Sequence, residues 1–179
     1  MTPYASVLIV HVTAVFVMCA VLGFELLFLV RLRGASSLAE AAPWMNPIPK
    51  LPGIAGGSIL TILLSGIYLV RESSHFHEAW PRIAVAAVFL MAPLGAFTGR
   101  RMNAVRKAPT TEKLQDAMLK VSLAIRIATF FGIFLIVSAK PGTWESVALL
   151  AACLALGLLS STLPWRQENA GLRKSSTIS

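Results

Sequence analysis

Long apolar runs separated by short polar or proline-rich stretches dominate the chain. Five can be read, at 5–30, 54–70, 83–98, 121–139 and 147–163. A helix crossing a hydrocarbon core of ~30 Å needs ~17 to 25 apolar residues, and every run reaches that length except the third, which falls just short. The third also contains Pro93, whose freed carbonyl must be satisfied by neighbouring helices. The pattern predicts an all-α membrane protein, a compact bundle of five transmembrane helices forming a single domain over 1–165. The polar tail at 166–179 is expected to lack fixed structure.

The connections are predicted to be short. Ser37 and Glu40 have the spacing of a capping box, so a brief interfacial helix is expected between the first two spans. Pro43, Pro47, Pro49 and Pro52 then favour extended backbone over helix. Residues 100–113 read as a basic loop, with Thr111 and Glu112 starting the fourth helix ahead of its apolar part.

Composition agrees with the pattern. Of 179 residues, 56% are hydrophobic and 13% charged, too little polar surface to cover a water-soluble globule. No Lys or Arg precedes the first run, whereas Arg31 and Arg33 follow it, so it reads as a retained span and not a cleaved signal. Cys19 and Cys153 fall inside apolar runs, where a thiol acts as a small hydrophobe and implies no disulfide framework.

Charge adds the orientation. The net charge of +8 would suit nucleic acid on a soluble domain, but here the basic residues flank the spans and point to lipid contact. With five spans, twelve of the sixteen Lys and Arg residues fall on one side, three on the other, and Arg126 within a span. That bias predicts an outside N-terminus and a cytoplasmic C-terminus. Trp44, Trp80, Trp144 and Trp165 all fall beside span ends, where indole rings favour the headgroup boundary.

Candidate chemistry lies on three features. His11, Met18 and Glu25 recur every seven residues along the first span, drifting only about 20° per step, so they form one stripe expected to face the bundle. Glu25 lies six residues before Arg31, and Arg126 six after Lys120 on a helix crossing in the opposite direction. At ~1.5 Å per residue both sit about 9 Å inside the same boundary, and a buried ion pair between them is expected. It reads either as a structural tie or as a relay, and the lack of a deeper second carboxylate favours the tie.

On the second span Ser58, Thr61, Ser65 and Tyr68 form a predicted interior polar stripe, with Gly53 and Gly57 allowing close helix approach. Glu72 and His75 would extend that face if the helix continues. Ala92 with Ala96, and Gly95 with Gly99, make a close-packing face on the third span. Met18 and Met91, near mid-membrane, read as gap-fillers, with soft ligation of Cu(I) as the alternative.

The third feature is histidine placement. His11, His75 and His77, with Glu72 or Glu78, make a candidate outer-face site for a transition metal or for haem b, since imidazole and carboxylate suit Zn or Cu(II). Simple solvation of single interfacial histidines is the competing reading. The sequence holds no nucleophile elbow, no phosphate-cradling glycine loop and no zincin helix, and no catalytic residue is assigned.

Several strings together resemble uncharacterised small bacterial integral membrane proteins of the DUF2269 type. They are the first span bearing His11 and ending in Glu25 to Arg33, the string Leu64-Ser65-Gly66-Ile67-Tyr68-Leu69, then Gly99-Arg100-Arg101, and Arg126 with Lys140-Pro141. The resemblance reaches to about Pro141 and implies a bacterial inner membrane without a known activity. A weaker similarity is to small copper-resistance membrane proteins and b-type membrane cytochromes, from which the chain departs in lacking paired histidines on facing helices. The expected role is a non-enzymatic accessory or interaction subunit, with a membrane-protein partner or a second copy. The alternatives are the outer-face metal or haem binder and a small proton-coupled transporter using Glu25, Tyr68 and Arg126.

Overall fold

A computed structural model describes residues 2–35, 38–45, 50–73, 77–107 and 117–162, and these are all helical apart from turns and short connections. The helices are α1 (Pro3–Gly34), α2 (Leu38–Met45), α3 (Leu51–Glu72), α4 (Ala79–Lys107), α5 (Ala117–Ala139) and α6 (Thr143–Thr162). All but α2 are long and apolar enough to cross a membrane, as expected of a multi-pass membrane protein.

Helix ends follow local chemistry. Thr2 caps α1, its hydroxyl accepting from the Ala5 amide at 3.3 Å, with Pro3 in the first turn where no N–H is needed. The Glu145 carboxylate reaches back to the Gly142 amide at 3.0 Å and starts α6. Lys140 ends α5 in the left-handed region, at φ 47°, its amide still bonding the Ile136 carbonyl at 2.9 Å. Pro141 follows, so the chain turns straight into α6.

Three expectations about helix extent need correction. Residues 100–107 are not loop, because α4 runs through to Lys107. Apolarity ends at Gly99, but the backbone ladder does not depend on side-chain polarity, and Met102 is buried against the core. Pro43 does not prevent helix either, since α2 passes over it, losing one ladder bond in a helix of only two turns. Pro52 begins α3 instead of blocking it, because first-turn amides have no helical acceptor to lose. Ser37, Pro47, Pro49, Thr111, Glu112, Trp165 and the tail lie outside the described residues.

Each spanning helix packs against the next in the chain, and α1 returns to α5, so α1, α3, α4 and α5 close a four-helix ring. The core is built from Met18, Leu22 and Leu29 of α1, Ile59 of α3, Met91 of α4 and Leu123 of α5. Met18 and Met91 are among its most buried side chains, filling space between helices. α6 stands outside the ring, against α5 and one edge of α4. Its packing on α5 relies on glycine. A Cβ on Gly157 would lie 2.6 Å from the Ala128 Cβ, and one on Gly132 would lie 2.8 Å from a Leu150 methyl.

The two ends of the ring differ. At the basic end, where α1 finishes and α3 begins, the Arg31 guanidinium lies 5.2 Å from the Trp44 ring centre and Phe28 packs on the same indole. This fastens α2 across the end of α1. At the far end the Lys140 ammonium sits 5.8 Å from the Trp80 ring centre, joining the α5–α6 turn to the start of α4. Trp80 is buried and Trp144 exposed, each the second residue of its helix.

Candidate functional site: a buried ion pair and a histidine-serine contact

Glu25 sits on the buried stripe of α1, in register with Met18 and Leu29. Arg126 sits on the inward face of α5, one turn from Ser122 and Thr129, both also buried. The Arg126 Nη1 donates to the Glu25 carboxylate, an ion pair spanning 101 residues of sequence. Arg126 is only 1% exposed, so the pair acts in a low dielectric, where a lone charge is costly and pairing offsets much of that cost. It closes the ring at the contact between its first and last helices.

The third wall of this site is α4. Gly95 faces the guanidinium, and a Cβ there would lie 3.7 Å from its Cζ, Nε and Nη2. One turn toward the basic end, Thr98 Oγ1 and Ser122 Oγ are hydrogen-bonded at 2.6 Å. Thr98 spends its proton on the Leu94 carbonyl at 2.9 Å, so Ser122 is the donor of the pair. The Arg126 Nε and Nη2 have no acceptor among the described residues.

The small-residue face proposed for α4 divides in two. Gly95 meets Arg126, and Gly99 meets Pro52, whose Cγ would lie 2.9 Å from a Cβ. Ala92 and Ala96 are exposed instead. Three residues on a helix turn about 300°, which puts Ala92 and Ala96 about 60° away from the Gly95 and Gly99 line.

His11 is engaged on the far-end half of the ring. Its Nδ1 lies 2.9 Å from Ser65 Oγ, and the Ser65 proton is directed to the Thr61 carbonyl. Ser65 therefore accepts and the His11 Nδ1–H donates. Gly66 makes the approach possible, since a Cβ there would stand 3.2 Å from the His11 Cε1.

The interior polar stripe of α3 is narrower than predicted. Ser58 and Ser65 are buried and Thr61 is half-buried, bonding the Gly57 carbonyl at 2.9 Å. Tyr68 is 38% exposed and is corrected to an outward position. Alternating three- and four-residue steps drift around a helix, leaving Tyr68 about 60° from Ser65. Tyr68 thus lines no interior path with Glu25 and Arg126.

Four of the five candidate metal or haem residues fall within the described residues. His11 turns into the α1–α3 contact, Glu72 is exposed at the end of α3, and His77 is exposed ahead of α4. Glu78 accepts from the Trp80 indole N–H. His75 lies outside the described residues, among which no three His, Cys, Asp or Glu side chains gather to hold a metal ion.

Sequence reasoning missed the Thr98–Ser122 pair, the place of Gly95 against Arg126 and the His11–Ser65 contact. The last was accessible by depth: His11 lies eight residues inside Pro3, and Ser65 seven inside Glu72 on the antiparallel neighbour. In comparisons with known proteins, no family model, no curated protein and no solved structure matches the chain.

Proposed function

We propose that the chain is a non-enzymatic accessory subunit of a bacterial cytoplasmic membrane, with its N-terminus outside, which binds a helix of another membrane protein. The observation that carries this reading is the open face of α3. Gly53, Gly56 and Gly57 have no atom of the described residues within 4 Å of an added Cβ, although Gly53 and Gly57 have the spacing used for close helix contact in lipid. Beside them runs a groove of about 370 Å³, lined by Thr13, Ala14 and Val17 of α1 and Gly57, Ser58 and Thr61 of α3. The Thr13 and Thr61 hydroxyls bond carbonyls of their own helices at 2.8 and 2.9 Å, which leaves an apolar groove that Ile9, Val10 and Ile54 also line. The location follows from the family resemblance and the orientation from the basic-residue bias.

Cross-linking in intact membranes followed by mild-detergent purification tests the reading. A partner protein should be recovered, and Gly57→Leu should abolish recovery while the lone chain keeps its helicity and thermal unfolding temperature. Recovery solely as an uncross-linked monomer, or a partner indifferent to Gly57→Leu, counts against it. A second copy as the cross-linked species would replace the accessory role with self-association. Reporter fusions at the two termini test orientation, with a cytoplasmic N-terminus as the contrary outcome.

A further inference from the structure

Ser58 stands apart from the other buried hydroxyls. Ser65, Thr98, Ser122, Thr129 and Ser146 are each hydrogen-bonded within the chain. Ser58 is only 7% exposed and has no hydrogen-bond partner among the described residues. A serine within a helix often bonds the carbonyl four residues back, as Thr61 and Ser65 do on the same helix, but Ser58 does not. The facing helix offers it little. Seven residues along each of the antiparallel helices from the His11–Ser65 contact, Met18 of α1 comes level with Ser58, and a thioether is only a weak acceptor. Ser58 lies seven residues inside Leu51 and fourteen inside Glu72, at hydrocarbon depth, where no bulk water satisfies a hydroxyl. It does have open space beside it, because it lines the groove of about 370 Å³ between α1 and α3.

Granting the partner helix proposed for the α3 face, on which this rests, we propose that Ser58 is the recognition point of the groove. Its hydroxyl bonds an uncharged polar side chain, a carboxamide or a hydroxyl, on that helix. The lining sets this chemistry. It holds no charged residue, so an ionised side chain would enter a low-dielectric space without a counterion. The Thr13 and Thr61 protons are committed to carbonyls of their own helices, which leaves Ser58 as the lining hydroxyl with a proton to give. Gly57, next to it, has nothing within 4 Å of an added Cβ. A partner backbone can therefore come close enough for a short polar side chain to reach Ser58.

Cross-linking in intact membranes supplies the first test. Ser58→Ala should lower recovery of the partner roughly three- to tenfold, whereas Gly57→Leu abolishes it. The lone Ser58→Ala chain should unfold at the wild-type temperature, because no bond within the chain is lost. Ser58→Cys supplies the second. After subtraction of the wild-type Cys19 and Cys153 signals, its S–H stretching band should move to lower frequency in the purified complex and not in the lone chain. Undiminished recovery with Ser58→Ala, beside loss with Gly57→Leu, leaves the α3 face as the docking surface and overturns the role of Ser58. A Ser58→Ala chain that unfolds at lower temperature has lost an internal bond, which overturns it too. So does an S–H band that is unmoved by the partner or already lowered without it. No partner recovered by the wild type removes both readings together.

Discussion

Glu25 and Arg126 each depend on the other more than the ring depends on their attraction. Removing one partner leaves an uncompensated buried charge, and Arg126→Met or Glu25→Leu alone should destabilise the fold by about 3–5 kcal/mol. The double variant should recover most of that loss, read as unfolding in mixed detergent micelles. If the double variant is as unstable as the sum of the singles, the pair is not the tie described here. At the histidine contact the stakes are smaller. Ser65→Ala should cost about 0.6 kcal/mol, the average for a polar contact between membrane helices, and should free the His11 ring, visible as broadened imidazole resonances. The ion pair was legible in the sequence because charges are rare in apolar helices and depth can be counted from the flanking basic residues. Which guanidinium nitrogens go unmatched was not legible, because that depends on the rotation of α5 against α1.

Helices were legible where lipid dictates them and less so where water does. A span must be long and apolar whatever it packs against, so each of the five runs corresponds to a helix. Outside the apolar stretch hydropathy is silent, and the extension of α4 to Lys107 follows from backbone hydrogen bonding that no apolar signal reports. Faces were less legible than spans. Seven-residue spacing identified the buried stripe of α1, whereas three- and four-residue steps carried Tyr68 off the buried face of α3. Glycine roles divide in the same way. Gly157→Ala places a Cβ 2.6 Å from Ala128 and 3.0 Å from the Ala124 carbonyl, so α6 has to move away from α5 at a cost of about 1–3 kcal/mol. Gly56→Ala meets nothing and should raise stability by up to about 1 kcal/mol through helix propensity. Thermal unfolding of the two variants should move in opposite directions.

The described spanning helices form a ring of four with a fifth attached outside, and the two parts are held by different means. The ring closes through a charged pair, while α6 adheres through glycine-mediated contact with α5. With Ser146 its only fully buried residue, α6 contributes little to the core. A chain ending after Lys140 should therefore keep the Glu25–Arg126 pair, checked by Arg126→Met still destabilising the shortened protein. Loss of that sensitivity would show that α6 is needed to close the ring.

The distance between the paired charges along the chain also sets a sequence of events in time. Glu25 belongs to α1, and Arg126 emerges 101 residues later. At about 5–20 residues per second, α1 waits roughly 5–20 seconds for its counterion, through the synthesis of α3 and α4. During that interval α1 carries an unmatched carboxyl group and is exposed to quality-control proteolysis. Nascent chains arrested before Arg126 should be degraded faster than chains arrested after Ala139, and Glu25→Leu should remove the difference.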